Sequence, residues 1–378
     1  MLPSKDNRLA LASEVVGVPE VHAEVFQVAG ELRAAEGIVL GFLVYITVAS
    51  FELPMSARER LTLTTLNILT TAVIFLLEKS TQEKPSSFLV AVRNWLPAVF
   101  ILLAYRESGM FFIPDPAHRL DHLFVAWDSF LLQNKWVLAM LTGLAPWPQG
   151  YLELAYLFCY PLVPLGLGFL MLSQRRSGRN AAADSPVSGV RWTPPESRNR
   201  TSFRCASLRM TATPQCHPER SEELALIPQE REKGSASQSK IPDPGPQLVV
   251  DRFWTGVLLA ALFCYAVYPF FPLTPPRLLF HDLPGPAVSP LLRTANFWLL
   301  NAYGVQACIF PSGHVAAVTA TALAVRAYRP RLGALFLVAA ASVAAATVLL
   351  RYHYGADALA GALVGWAAWG LSERIHGR

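Results

Sequence analysis

The chain has 378 residues, of which 53% are apolar and 16% are charged, and its formal net charge is +5. The charged fraction is well below the roughly 25% of a soluble globular domain. The charges are also bunched, which leaves uncharged runs close to the roughly 20 residues that cross a hydrocarbon core. Because the positive excess lies mainly in arginines between those runs, it is typical of membrane topology rather than of nucleic-acid binding. Composition therefore excludes an ordinary soluble domain and predicts an integral membrane protein with no nucleic-acid partner.

Eight apolar runs follow one another along the chain. None alternates with the period of two that barrel strands need, so we predict an all-α fold, a polytopic transmembrane helical bundle with about eight spans. Residues 1–36 are mixed and polar, and we expect them to form a cytoplasmic N-terminal segment. The runs are residues 37–51, 61–77, 87–105, 154–174, 253–276, 314–327, 332–350 and 355–372.

The N-terminal transmembrane half, residues 37–172, also contains a stretch that does not read as a span. Apolar side chains recur at helical spacing near residues 118–135, while Asp121 and Asp128 take other faces. This pattern predicts an interfacial amphipathic helix. The uncharged residues 136–152 are a rival ninth span, but the prolines and glycine at their end favour a surface or re-entrant segment.

Residues 173–248 differ from the rest of the chain. They are rich in Ser, Pro, Arg and Glu and poor in aromatic residues. Such a composition buries too little apolar surface to offset the entropy of ordering, so we predict a disordered cytoplasmic insert. It separates the N-terminal half from a C-terminal catalytic transmembrane half, residues 249–378.

Arginines beside three of the apolar runs predict the orientation of the C-terminal half. They follow the runs 154–174, 314–327 and 355–372, and an excess of Lys and Arg marks the cytoplasmic side. By parity, three other segments then meet on the extracytoplasmic side. These segments are residues 272–290, 310–314 and 351–357.

Those three segments carry residues suited to phosphate chemistry. His353 and Asp357 are four apart and share a helix face, so the carboxylate can hold the proton of one imidazole nitrogen and leave the other nitrogen free to attack. Residues 311–314 open a helix that Ser312 can cap, and Gly313 lets the backbone approach an anion at the N-terminus of this helix. Two arginines suit the oxygens of a phosphate; these are Arg277 and Arg351. The alternative is a solvated ion pair beside arginines that only anchor the helices at the membrane surface.

The motifs PSGH and HYxxD, at residues 311–314 and 353–357, resemble the type 2 phosphatidic-acid phosphatase superfamily. The local forms FPSGH, RYHYGAD and YPFFPLTPPR are most similar to its inositol phosphorylceramide synthase branch. The stretch RLDHLFVAWDSFLLQ also resembles a segment of that branch. The resemblance covers residues 265–366 and, more loosely, residues 120–133.

The resemblance implies a role for each motif residue. His353 would be the nucleophile that forms a phosphohistidine, Asp357 would orient it, and His314 would protonate the leaving group. Phosphate ligands would be Ser312, Gly313, Arg351 and Arg277. The chemistry implied requires no metal and no cofactor.

Two positions depart from the superfamily pattern. Phe270 stands where the first motif has a lysine, and Ala346 and Thr347 stand where the third motif has Ser-Arg. Both departures fit the synthase-like branch. We therefore expect a membrane-embedded lipid phosphatase or phosphotransferase that acts on a lipid phosphate at the extracytoplasmic face of the cell membrane, most like an inositolphosphotransferase. The alternatives are an undecaprenyl-diphosphate phosphatase and, from another class, a non-enzymatic membrane scaffold or transporter.

Overall fold

A computed structural model describes residues 32–111, 120–132, 139, 143, 146–184, 245–279, 290–304 and 308–377. Within these ranges the predicted all-α class is confirmed, apart from one antiparallel pair of two-residue strands. The N-terminal half forms α1 (Ala34–Glu52), α2 (Ala57–Glu83), α3 (Ser87–Gly109), α4 (Asp121–Leu132), α5 (Pro146–Leu157) and α6 (Cys159–Asp184). The C-terminal half forms α7 (Pro246–Val267), β1 (Pro272–Leu273), α8 (Pro276–Leu279), α9 (Pro290–Tyr303), β2 (Cys308–Ile309), α10 (Gly313–Tyr328), α11 (Pro330–Leu349) and α12 (Gly355–Ile375).

Several of these helices are long and apolar enough to cross a membrane. In the described part of the chain there are five, namely α1, α2, α3, α11 and α7 with its 3₁₀ extension to Phe270. A bent pair, Gly150–Leu157 with Cys159–Gln174, makes up to six. The predicted runs 314–327 and 355–372 do form helices, α10 and α12, but these are not among the five. The chain is thus a helical membrane protein with five or six candidate spans rather than an established eight.

The predicted span 154–174 is broken. Helix α5 ends at Leu157, Phe158 is a turn, and the axis bends by 58° before α6 continues. Pro161 explains the break, because it has no N–H to donate to the carbonyl of Leu157 and its ring crowds that carbonyl.

Two further boundaries differ from the predicted ones. Helix α7 ends at Val267 instead of continuing to residue 276, and a short 3₁₀ turn that contains Pro269 follows it. Helix α6 continues to Asp184, into the predicted insert, because alanine and arginine near its end are good helix formers. Residues 185–244 of the insert, residues 1–31 and most of 133–145 lie outside the described residues.

Helix α7 is the centre of the bundle. It packs against α10 and α12 of its own half and against α1 and α3 of the N-terminal half. In its most apolar window 72% of the residues are buried, compared with 39% or less in the other four candidate spans. A helix that is apolar on all faces is expected at such a central position.

Helices α10 and α12 meet along an unusually close seam. A Cβ added to Gly361 would lie 2.5 Å from the carbonyl oxygen of Ser312, and one added to Gly365 would lie 2.4 Å from that of Ala316. Glycines four residues apart let two backbones approach in this way. The Ser312 amide also donates to the Asp357 carbonyl at 3.2 Å, so the N-terminal ends of both helices are held side by side.

A polar layer (Arg33, Glu36, Arg93, Asn94, Gln247 and Asp251) joins the two halves at the other end of α7. The buried Arg93 guanidinium donates two bonds of 2.6 Å to Glu36. Asn94 accepts from Arg33 at 2.8 Å through its side chain and from the Trp254 indole at 2.7 Å through its carbonyl. These bonds tie α1 and α3 to each other and to α7.

Asp251 belongs to the same layer. Its carboxylate accepts from the amides of Ala34 and Ala35 at 3.3 and 3.1 Å, which caps α1 from a different helix. His376 contacts the same carboxylate at 3.2 Å, and this hydrogen bond raises the pKa of His376.

Candidate active site

The structure brings His353 and Asp357 into direct contact. Nδ1 of His353 lies 2.9 Å from Oδ2 of Asp357, and the two residues are 7% and 0% exposed. Asp357 sits in the first turn of α12, while His353 belongs to the loop before that helix. The four-residue spacing therefore places a buried carboxylate on one ring nitrogen and directs the other nitrogen elsewhere.

The first turn of α10 lies next to this pair. Ser312 is the N-cap of α10, and its hydroxyl accepts from the Val315 amide at 3.4 Å. The Gly313 amide donates to the Tyr268 hydroxyl at 3.1 Å, and a Cβ on Gly313 would meet Tyr268 and Tyr265 within 2.7 Å. The space that glycine leaves is thus filled by two tyrosines, a role that sequence reasoning had not assigned to it.

His314 faces His353 across the site. The centroids of the two imidazole rings are 5.8 Å apart in an edge-on arrangement. Three tyrosine rings also surround His314, with centroids 5.6 to 6.3 Å away; they belong to Tyr105, Tyr156 and Tyr160. Helices α3, α5 and α6 of the N-terminal half therefore complete the wall behind this histidine.

Arg351 has a backbone conformation that is rare for an L residue. Its φ is +64°, and the amides of Tyr352 and His353 both donate to the Thr347 carbonyl, at 2.8 and 2.9 Å. This is a helix C-terminus in which a left-handed position is normally filled by glycine. The left-handed conformation costs about 1–2 kcal/mol, and the residue that adopts it here is a buried arginine, 8% exposed.

The backbone of Arg277 contacts the backbone of Arg351. Its amide donates to the carbonyl of Arg351 at 3.0 Å, and the β1–β2 pairing holds the two neighbouring segments together. Residue Pro272 pairs with Ile309, so the segments before Arg277 and before His314 are adjacent. All seven residues singled out in the sequence thus lie on segments that meet at one end of the bundle.

Sequence reasoning missed a buried network beside the arginine. Glu153 of α5 is fully buried and accepts from Arg293 at 2.9 Å, from Asn296 at 2.7 Å and from the Tyr352 hydroxyl at 3.0 Å. Arg293 also donates to the Leu350 carbonyl at 3.3 Å. The residues on both sides of Arg351 are thereby fixed from α5 and α9.

The sequence contains one signal for this network. Glu153 is the single charge between Lys135 and Arg175, and an isolated charge in apolar sequence indicates function or a buried partner. In the structure, burial and the nearby charge of Arg293 lower the pKa of Arg351. The two guanidinium groups therefore concentrate positive charge at this end of the bundle, which favours an anion.

Metal chemistry has no obvious ligand set in the described ranges. There, no three His, Cys, Asp or Glu side chains are grouped so that they could hold a metal ion.

The elements that carry this site are continuous in sequence from α7 to α12. Residues 246–371 match the family model of the PAP2 superfamily. The PAP2 match begins at the first residue of α7 and ends within α12, so it contains all seven predicted site residues and excludes α1–α6. Searches of curated proteins and of solved structures gave no significant match. The superfamily resemblance is confirmed over this segment, and with the apolar helices it supports a membrane protein of the phosphatase type.

Proposed function

We propose that the protein is a membrane enzyme that cleaves a lipid phosphoester by way of a phosphohistidine on His353. The observation that carries the proposal is the His353–Asp357 contact of 2.9 Å with the His314 ring on the other side of the site. A nucleophile, its orienting carboxylate and a separate acid are the minimum set for a two-step displacement at phosphorus.

In the first step, Nε2 of His353 attacks phosphorus while the bond from phosphorus to the leaving oxygen breaks. Asp357 holds the proton on Nδ1 and stabilises the positive charge that develops on the ring. His314 gives its proton to the leaving oxygen, so that an alcohol departs rather than an alkoxide. The products are a phosphohistidine and the free alcohol.

Arg351 and Arg277 stabilise the negative charge on the phosphate oxygens, with the Ser312 hydroxyl as a further donor. Preorganised donors of this kind stabilise the transition state because they need no reorganisation as charge develops. In the second step, an acceptor hydroxyl attacks the phosphohistidine, gives its proton to His314 and releases His353.

The acceptor in that second step decides the reaction class. The forms FPSGH and RYHYGAD resemble inositol phosphorylceramide synthases, which supports transfer to a polyol such as inositol. Water at the same position would make the enzyme a lipid phosphatase. We propose transfer at the extracytoplasmic face, with the arginine-rich ends of the last helices in the cytoplasm.

The test is an assay of purified protein in lipid nanodiscs on labelled lipid phosphates, with and without inositol, that separates free phosphate from transferred product. We expect His353→Ala to abolish turnover and phosphoenzyme. His122→Ala, which removes an exposed histidine of α4, is the matched control and should behave like wild type. A phosphoenzyme that persists in His353→Ala would mean that another residue is the nucleophile, and full turnover in that variant would favour a scaffold or transporter.

A further inference from the structure

Helix α4 contacts all three segments of the candidate site. Its first residue, Asp121, accepts from the amide and the hydroxyl of Thr274, at 2.5 and 2.6 Å. Its Phe124 ring packs 5.1 Å from the ring of Phe310, in the segment before Ser312. Its buried Asp128 accepts from the amide of Gly355 at 2.6 Å.

The two carboxylates are connected through the site itself. The Tyr354 hydroxyl donates to the Thr274 carbonyl at 2.9 Å, and Tyr354 immediately precedes Gly355. Three hydrogen-bonded contacts, Asp121–Thr274, Thr274–Tyr354 and Asp128–Gly355, therefore form a closed loop. The Tyr354–Gly355 peptide bond and the backbone of α4 complete this loop. Within that loop, Phe124, Leu273 and Tyr354 form a small apolar cluster.

Helix α4 exposes apolar side chains and buries a carboxylate, unlike an ordinary surface helix. Leu123 and Trp127 are 43% and 62% exposed, whereas Asp128 is 3% exposed. The predicted polar face thus lies on the inward side together with Phe124, because its carboxylates pair with backbone amides of the site. The exposed Leu123 and Trp127 are suited to the membrane interface.

Asp128 supplies a cap that α12 lacks in its own sequence. The N-cap residue Tyr354 makes no side-chain capping bond, and Asp128 satisfies the first amide of the helix from outside. Asp357 lies in that same first turn. The position of the carboxylate that orients His353 consequently depends on a bond made by α4.

We propose that Asp128 is a positioning residue for the His353–Asp357 pair, and that Asp121 does the same for the segment that carries Arg277. The inference rests on the proposed function, since it assigns α4 to that reaction. Asp128 acts through the backbone of Gly355, so its loss should alter the rate of the chemical step rather than substrate binding.

The experiment compares Asp128→Asn and Asp128→Ala with wild type by kcat, KM and phosphoenzyme yield. A small displacement of the nucleophile costs about 10- to 100-fold in rate, so we expect kcat to fall by about that factor in Asp128→Ala with KM within about twofold. Asp128→Asn should fall less, because its amide oxygen still accepts the Gly355 bond without the charge.

Asp251→Asn is the matched control. Asp251 also caps a helix from outside, but at α1, near the opposite end of α7. It should leave kcat unchanged. An equal fall of kcat in Asp251→Asn, or wild-type kcat in both Asp128 variants, overturns the proposal.

Hydrogen exchange supplies a second readout that needs no turnover. The peptide that contains Gly355 and Ala356 should exchange faster in Asp128→Asn than in wild type, and unchanged exchange overturns the proposal. If Asp128→Ala does not fold, Asp128→Asn decides on both readouts. If the wild type is inactive on every lipid phosphate, the proposed function fails while exchange still decides whether α4 fixes this turn.

Discussion

Arg351 combines two properties that substitution can separate, a guanidinium and a left-handed backbone. Arg351→Ala removes the charge but keeps the strain, whereas Arg351→Gly removes both. The strain relieved is about 1–2 kcal/mol, and the extra chain entropy of glycine costs about 0.5–1 kcal/mol. We therefore expect Arg351→Gly to be more stable than Arg351→Ala by roughly 0.75 kcal/mol, from the midpoints of those ranges.

The catalytic activity should depend on the guanidinium group of Arg351. Loss of one preorganised donor to a developing oxyanion costs about 100- to 1000-fold in kcat, so both variants should fall by that order and by the same factor. Arg351→Lys keeps the charge without the planar fork and should lie between them and wild type. Stability is measured by denaturant unfolding in mixed micelles, and turnover by the release of labelled product.

Two results would refute this reasoning. Equal stability of Arg351→Gly and Arg351→Ala would mean that the positive φ is not a strained state. Wild-type kcat in either variant would mean that the guanidinium does not serve the phosphate.

Four other predictions concern the rest of the molecule. His314→Ala should slow natural lipid esters strongly but spare aryl phosphates, because a good leaving group needs no acid; equal losses on both would remove its role as the acid. Glu153→Gln should lower stability by about 1–3 kcal/mol, since it weakens charge-assisted bonds in a buried network; an unchanged unfolding midpoint would contradict this. His376 has a raised pKa, so its bond to Asp251 stabilises the fold at low pH and loses that contribution as pH rises through the folded-state pKa; His376→Ala should flatten this part of the stability curve. Replacement of residues 185–244 by a short flexible linker should preserve turnover, because loop length has little effect on the entropy of loop closure. An inactive but well-expressed deletion variant would contradict this prediction.

The sequence predicted which segments meet at one end of the bundle better than it predicted the number of spans. His353, Asp357 and His314 could be named because their spacing and motif context are local properties. Arg293 and Asn296 could not, because α9 brings them to Glu153 only through the tertiary fold. Hydropathy likewise predicted eight runs without detecting the bend at Phe158, where the chain stays apolar but Pro161 removes a backbone donor. The inward turn of Asp121 and Asp128 also escaped prediction, since helical periodicity places residues on faces but does not reveal which face a neighbour will cover.

The polar layer implies an order of events during biosynthesis. Glu36 and Arg93 both precede the insert, so their buried ion pair can close once α1 and α3 are in the bilayer and before α7 has been translated. Neither charge then waits unpaired in hydrocarbon, which would be costly. Asn94, in contrast, receives the Trp254 indole only after the second half arrives. The first three helices can therefore pair their buried charges before α7 docks on them and completes the layer. If the chain is divided within residues 185–244 and the two parts are expressed separately, they should associate through these bonds between the halves.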